Sequence, residues 1–409
     1  MASREFPENV RFDTRTFDLA SGTVWEFHAS TDQTSQNVVD ETIAALSAPD
    51  DFPPLGSAIV PGDRVAIAVD PNVPQIDAVL EGVLTALRDT AAEQIEIVVW
   101  DEATNETLDK IEKSAGGSLV TRHQCDMRQT LCYLAADVNA DPIYLNRALV
   151  EADLVLPIIA VRPSEVADRR DLTGVFPSLS DSATRLRFFQ KVQAGEANRT
   201  AMKSGNTIAQ EVPWLLGVQL ILAVTANSQG QAGEIRAGTT ESLAQRISPQ
   251  LGHPDPVPPP AALVIAALDG DQQQQTWENV VRAAKAAKEH AEPEGTIVIW
   301  SSLRQVPSGA LLTMDDDPEG LPRTDRKAVE AIQDEPSQTL PRWDASEPMA
   351  LTLQEILRQH RVLLHSELPG ETVEPLGMGV IENAEQLSKL SQGFDTCAVL
   401  RAAQFASGQ

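Results

Sequence analysis

The chain has 409 residues, 42% of them hydrophobic, with 59 acidic against 32 basic side chains and a formal charge of −27. That length accommodates two or three domains with separate cores, and the charge argues against nucleic acid or an anionic membrane as partner, because phosphates require a basic surface. No apolar run approaches the roughly 18 residues of a membrane span. Three cysteines do not make a disulfide framework, and Met1–Arg15 lacks the apolar core of a signal peptide. The expectation is a cytoplasmic protein.

In chain order, residues 10–30 alternate loosely between apolar and polar and predict a β-hairpin turning at Ser21-Gly22; residues 37–48 predict a short helix. The best-specified unit follows. Arg64–Val69 reads as a buried parallel strand, Asp70-Pro71-Asn72-Val73-Pro74 breaks it, and Ile76, Val79, Leu80, Val83, Leu84 and Leu87 then form one helical face. Ligands in open α/β sheets sit at the carboxyl ends of strands, where Asp70 would lie. Ile95–Trp100 is a second strand, followed by the polar loop Asp101–Asn105 and a helix that stops at Gly116-Gly117. Leu119–Thr121 is a third strand, Leu131–Leu134 an edge strand, Asn146–Ala152 a short helix and Leu154–Val161 a central strand. An Arg- and Phe-rich helix is expected over Ser182–Val192, and a hairpin turning at Asn227–Gly230.

The Pro-rich run 248–260 is the clearest linker. It divides an N-terminal α/β domain (1–250, with its hairpin) from a C-terminal one (261–409). The second begins with the strand Ala262–Ala266, the loop Asp269-Gly270-Asp271, a helix from Thr276 to His290 and the strand Thr296–Trp300. Gln272–Gln275 reads as a solvated loop and helix start, 304–345 as an acidic loop region, and the tail as a helix, a strand and a final helix–strand pair ending near Leu400. The fold class expected is α/β, two α/β domains with mostly parallel sheets and a cleft between them.

The serial order of these pieces resembles the nickel-dependent lactate racemase family. The similarity runs through PGDRVAIAVDPNVPQ, IEIVVW, RHQCDM, LNRALVEADLVLPI, FPSLSDSAT, LLGVQLILAVTANSQGQAGEIRAG, ALVIAALDGD and VLLHSELP, from about Ile43 to the C-terminus. The resemblance implies a lactate-racemase-like fold with the active site between two domains. It also implies a nickel-pincer nucleotide tethered to a lysine, a histidine on the nickel, and two further histidines as acid and base on a 2-hydroxy acid.

Set against that pattern, this chain lacks the expected residues. Asp101–Glu106 stands where the family carries a histidine loop, and counting back from Pro177 places Thr173 at the tethering lysine. Pro163 falls near a histidine position, with Arg162, Arg169 and Arg170 around it, and Phe189 falls near the nickel histidine; no histidine occurs between His123 and His253. Asp70 and Pro74 match the phosphate loop, whose arginine is Val73 here, and Asp269–Gln273 replaces a lysine loop.

Asp70, Asn72, Thr173, Arg162 and Arg169 are therefore the candidate cofactor- or anion-binding residues, with Asp101 and Glu102 the candidate catalytic pair. The bland readings are an acidic pair favoured by a helix N-terminus and arginines engaged in ion pairs. His123, Cys125 and Cys132 fit no standard zinc spacing, so no metal site is expected. No cofactor is expected either, a nickel-pincer nucleotide being conceivable only if binding persists without the lysine. The functional expectation is a non-racemising protein that binds a small anionic molecule or a protein partner. The alternative is an isomerase acting on a small acid through Asp70, Asp101, Glu102 and the arginines.

Overall fold

The computed structural model describes residues 34–162, 173–197, 211–247, 259–316 and 342–406, together with the backbone of strands at 9–12, 15–18 and 23–28. Near the N-terminus, β1 (Asn9–Phe12) and β2 (Arg15–Asp18) form a two-stranded antiparallel sheet, and β3 (Thr23–His28) runs on from it. After helix α1 (Val38–Ser47), a sheet is built from β4 (Arg64–Val69), β5 (Gln94–Val99) and β6 (Leu119–Arg122), with α2 (Ile76–Arg88) and α3 (Asn105–Ser114) as crossovers. A separate antiparallel pair, β7 (Leu131–Ala136) and β8 (Pro142–Asn146), precedes β9 (Leu154–Ala160). Helix α4 (Ser182–Ala197), β10 (Ile221–Ala226), β11 (Ala232–Gly238) and α5 (Thr240–Ile247) complete this half. The sheet order is β11-β10-β9-β4-β5-β6, parallel except for β11.

The second half repeats this plan. It contains β12 (Ala261–Ala267), α6 (Trp277–His290), β13 (Ala291–Trp300), α7 (Ser346–Gln359), β14 (Arg361–His365), β15 (Gly379–Val380), α8 (Ala384–Ser391) and β16 (Thr396–Arg401). Its order is β15-β14-β13-β12-β16-β3, all parallel. The chain is thus an α/β protein with mostly parallel sheets.

Strand alternation explains the cores. Val65, Ile67 and Val69 face α2, whose buried stripe is Ile76, Val79, Leu80, Val83 and Leu87, while Ala66 and Ala68 face Trp100, Phe176 and Phe188. Gly82 in α2 permits α1 to approach closely: a Cβ there would stand 2.6 Å from Thr42 Cβ and 2.8 Å from Val39 O. In the second half, Val264 and Ala266 face α6, and Leu263 and Ile265 face Leu387 of α8.

Three expectations differ from the structure. The antiparallel pair is formed by Asn9–Phe12 with Arg15–Asp18 rather than by strands flanking Ser21-Gly22, and the following strand pairs with β16, about as far away in sequence as the chain allows. Residues 131–136 pair with 142–146 instead of edging the main sheet. Gln273, Gln274 and Gln275 are buried, not solvated. Most of the Pro-rich run and most of the acidic loop region lie outside the described residues.

Candidate functional site at the strand ends

In each sheet the chain reverses its direction of growth at one place, and the crevice beyond those strand ends is where open α/β sheets receive ligands. In the first sheet it lies between β4 and β9; in the second, between β12 and β16. Both crevices hold the same device. Asp70 follows β4, and Arg162, just after β9, donates from Nη2 to both its carboxylate oxygens at 3.0 and 2.8 Å. Asp269 follows β12, and Arg401, at the end of β16, donates from Nε and Nη2 at 3.0 and 2.9 Å. Backbone N–H groups add to each carboxylate: Asn72 and Ala160 donate to Asp70, and Ala402 donates to Asp269. Both aspartates are almost fully buried. A buried pair of this kind holds its geometry because removing one partner strands the other's charge.

The two loops that follow these aspartates meet. Gln274 Nε2 donates to Asn72 O at 2.9 Å, Gln273 Nε2 donates to Val73 O at 3.3 Å, and Asn279 Nδ2 of α6 donates to Asn72 Oδ1 at 3.0 Å. Lys110 of α3 reaches Asp271 at 2.8 Å. Gly230, in the β10–β11 turn, lies so close to the second loop that a Cβ there would stand 2.4 Å from Asp269 O. Gln75 adopts the left-handed conformation at the start of α2, and its Oε1 accepts from Ala232 N–H at 3.0 Å. The glutamine run is therefore contact surface between the halves.

Beside this region, at the ends of β5 and β6, Asp101 accepts from Arg185 Nη1 at 2.7 Å, and Arg185 Nη2 donates to Ser178 O. Arg185 is on the first turns of α4 and its side chain is only 3% exposed. His123 follows β6 and is fully enclosed. Asn146 Oδ1 accepts from Ala148 N–H, which fixes the amide so that its Nδ2 donates to His123 Nδ1; the ring proton then sits on Nε2 and is donated to Ser180 O at 2.9 Å. Burial, assisted by the nearby Arg185 charge, lowers the His123 pKa to about 4.

The fold therefore favours neutral His123. Its contribution to stability is fully present above the unfolded value of about 6.5 and is lost as pH falls from there towards 4. Replacing His123 by glutamine should reduce the pH dependence of stability over this range by up to about 1.4 kcal/mol per pH unit. Urea unfolding of both proteins at pH 7, 5.5 and 4.5 measures this; parallel profiles would refute it. Burial also raises the Cys125 thiol to about 11, keeping it protonated and unreactive.

Of the residues singled out from sequence, Asp70, Asn72 and Arg162 come together in one buried network. Thr173 is buried, its Oγ1 accepting from Val175 N–H at 3.4 Å within its own turn. Asp101 belongs to the separate Arg185 pair, and Glu102 is half-buried beside it. Arg169, Arg170 and Pro163 lie outside the described residues. Sequence reasoning passed over Arg185 and the Asp269–Arg401 pair. The signal for the latter was present: Val264-Ile265-Ala266-Ala267-Leu268-Asp269 repeats the pattern of Val65-Ala66-Ile67-Ala68-Val69-Asp70, an apolar strand ending in aspartate. Among the described residues, no group of three or more His, Cys, Asp or Glu side chains is disposed to hold a metal ion, and no helix is long and apolar enough to cross a membrane.

These features define an α/β protein whose two sheets meet through the loops at the carboxyl ends of their central strands. More particularly, the chain has a lactate-racemase-like fold. It is similar to the lactate racemase apoprotein from Thermoanaerobacterium thermosaccharolyticum, with a TM-score of 0.70 and 14% identity over 98% of this chain and 99% of that one. A Thermotoga maritima protein matches with a TM-score of 0.61 and 11% identity, over 90% of this chain and 97% of that one. No family model and no curated protein matches the sequence.

Proposed function

We propose that this chain is a non-racemising protein on the lactate-racemase-like fold that binds a small carboxylic acid between its two sheets. The observation that carries this reading is a pair of incompletely used guanidinium groups. Among the described residues, the buried Nε atoms of Arg162 and Arg185 have no hydrogen-bond partner. A buried unsatisfied donor costs about 1–3 kcal/mol, and a charged one invites an acceptor such as a carboxylate.

The residues do not fit a lysine-tethered nickel-pincer nucleotide. The position expected to hold the tether is Thr173, a buried hydroxyl engaged by its own turn. The loop expected to cradle the phosphate offers a carboxylate held by Arg162, and its Asn72 and Val73 carbonyls accept from glutamines of the other half. An isomerase reading is weaker, because it needs its acidic residues around one pocket, whereas Asp70 and Asp101 belong to two different ion pairs.

The expected outcome is that the purified protein, supplied with nickel, leaves L-lactate unracemised over hours, as read by chiral chromatography. Millimolar small carboxylates should raise its melting temperature, and Arg185→Met should abolish that rise. Racemisation above background, or no thermal response to any small carboxylate, would overturn the reading.

A further inference from the structure

Four polar atoms without partners among the described residues gather around the first turns of α4: Asp101 Oδ1, Asp181 Oδ1, Arg185 Nε and Trp343 Nε1. Hydrogen bonds and one ring contact join the residues that carry them. Arg185 N–H donates to Asp181 O, one helical turn back, and its guanidinium meets Asp101. Trp343 N–H donates to Ser182 Oγ at 2.6 Å, and its ring packs edge-on against Phe189 of α4. Next to it Arg342 pairs with Asp126, so that neighbour adds no net charge. The segment carrying Trp343 comes from the second half, so the cluster is assembled from both halves.

The chemistry of these atoms restricts the ligand. Two of them donate and two accept. The Arg185 guanidinium is already shared with Asp101, and Asp181 has no ion pair among the described residues, which leaves one negative charge in excess. A molecule bearing a carboxylate and an ammonium group would satisfy both donors and both acceptors, and its cationic end would offset that excess. Asp101 keeps 22% of its side-chain surface exposed, so one edge of the cluster reaches the surface.

We propose that the first turns of α4 bind the zwitterionic head of an α-amino acid. Its carboxylate lies on Arg185 Nε and Trp343 Nε1, and its ammonium lies between Asp101 Oδ1 and Asp181 Oδ1. This rests on the carboxylate-binding reading above and names the class of molecule.

Alanine and lactate share a carbon skeleton and differ in carrying an ammonium or a hydroxyl, so they form a matched pair of probes. Calorimetric titration of the full chain with L-alanine and L-lactate should give at least tenfold tighter binding of L-alanine. Asp181→Asn should lower alanine affinity about tenfold and leave lactate unchanged. Asp181 is half-buried and outside the Asp101–Arg185 pair, so the fold should survive its replacement, as a circular-dichroism melt can verify. Lactate binding equal to or tighter than alanine would overturn the amino-acid assignment while leaving carboxylate binding standing. Binding of neither probe would overturn both.

Discussion

Asp70→Ala is expected to destabilise the protein by about 3–5 kcal/mol, the usual effect of leaving the partner of a buried ion pair uncompensated. Arg162 is almost fully buried and donates twice to this carboxylate, which also accepts from the N–H groups of Asn72 and Ala160. Alanine removes the charge and all these acceptors together. Asp70→Asn keeps one acceptor oxygen and most of the shape, so it should fall between alanine and the native residue. Urea midpoints measured with unchanged slopes would establish the order. A loss below about 1 kcal/mol for alanine would place the pair with surface salt bridges and contradict its standing as a buried, mutually dependent pair.

The second large effect should come from Gly230→Val. The residue has φ of +69°, which a β-branched side chain adopts only with strain. Its Cβ would also stand 2.4 Å from Asp269 O and 2.6 Å from Gly270 N, so the facing loop must move, and with it the carboxylate held by Arg401. Strain at the left-handed position costs about 1–3 kcal/mol and overpacking adds about 1–3 kcal/mol. Gly62→Val separates the two contributions: φ there is +100°, but no atom lies within 4 Å of the place a Cβ would take. Gly230→Val should therefore lose clearly more stability in thermal unfolding than Gly62→Val. Equal losses would show that the contact between the halves yields without resistance.

Much of the fold was legible because its signals are local. The unit from Val60 to Arg88 announces a buried strand, a proline-broken loop and an amphipathic helix, and all three stand where expected. The helix Asn105–Ser114 likewise begins at Thr104, whose side chain accepts from Thr107 N–H, and ends before two glycines. What escaped is non-local. Nothing in Thr23–His28 itself says that it will add to a strand at residues 396–401. The glutamines at 273–275 look solvated because they are polar; they are buried because carbonyls of another loop and of their own segment need donors.

The site shows the same division. Asp70 stood out because any residue directly after a central strand lies at the sheet's ligand edge. Its engagement by Arg162, 92 residues later, could not be read from either residue alone. Arg185 was hidden for a different reason. It sits in a helix whose arginines look like surface charges in so acidic a chain, yet the backbone places this one behind Asp101 and against Ser178 O. Its burial depends on which face of α4 meets the strand ends, and the aromatic neighbours Phe188 and Phe189 do not settle that by spacing.

On the proposed reading, the fold persists while its position for a tethered nickel nucleotide is occupied by the protein's own side chains. Native mass spectrometry of the protein purified from its own host tests this most directly. The expected result is the mass of the bare polypeptide, or that mass plus a small, dissociable organic molecule, with no nickel. A nickel-bearing nucleotide retained on the chain would contradict it.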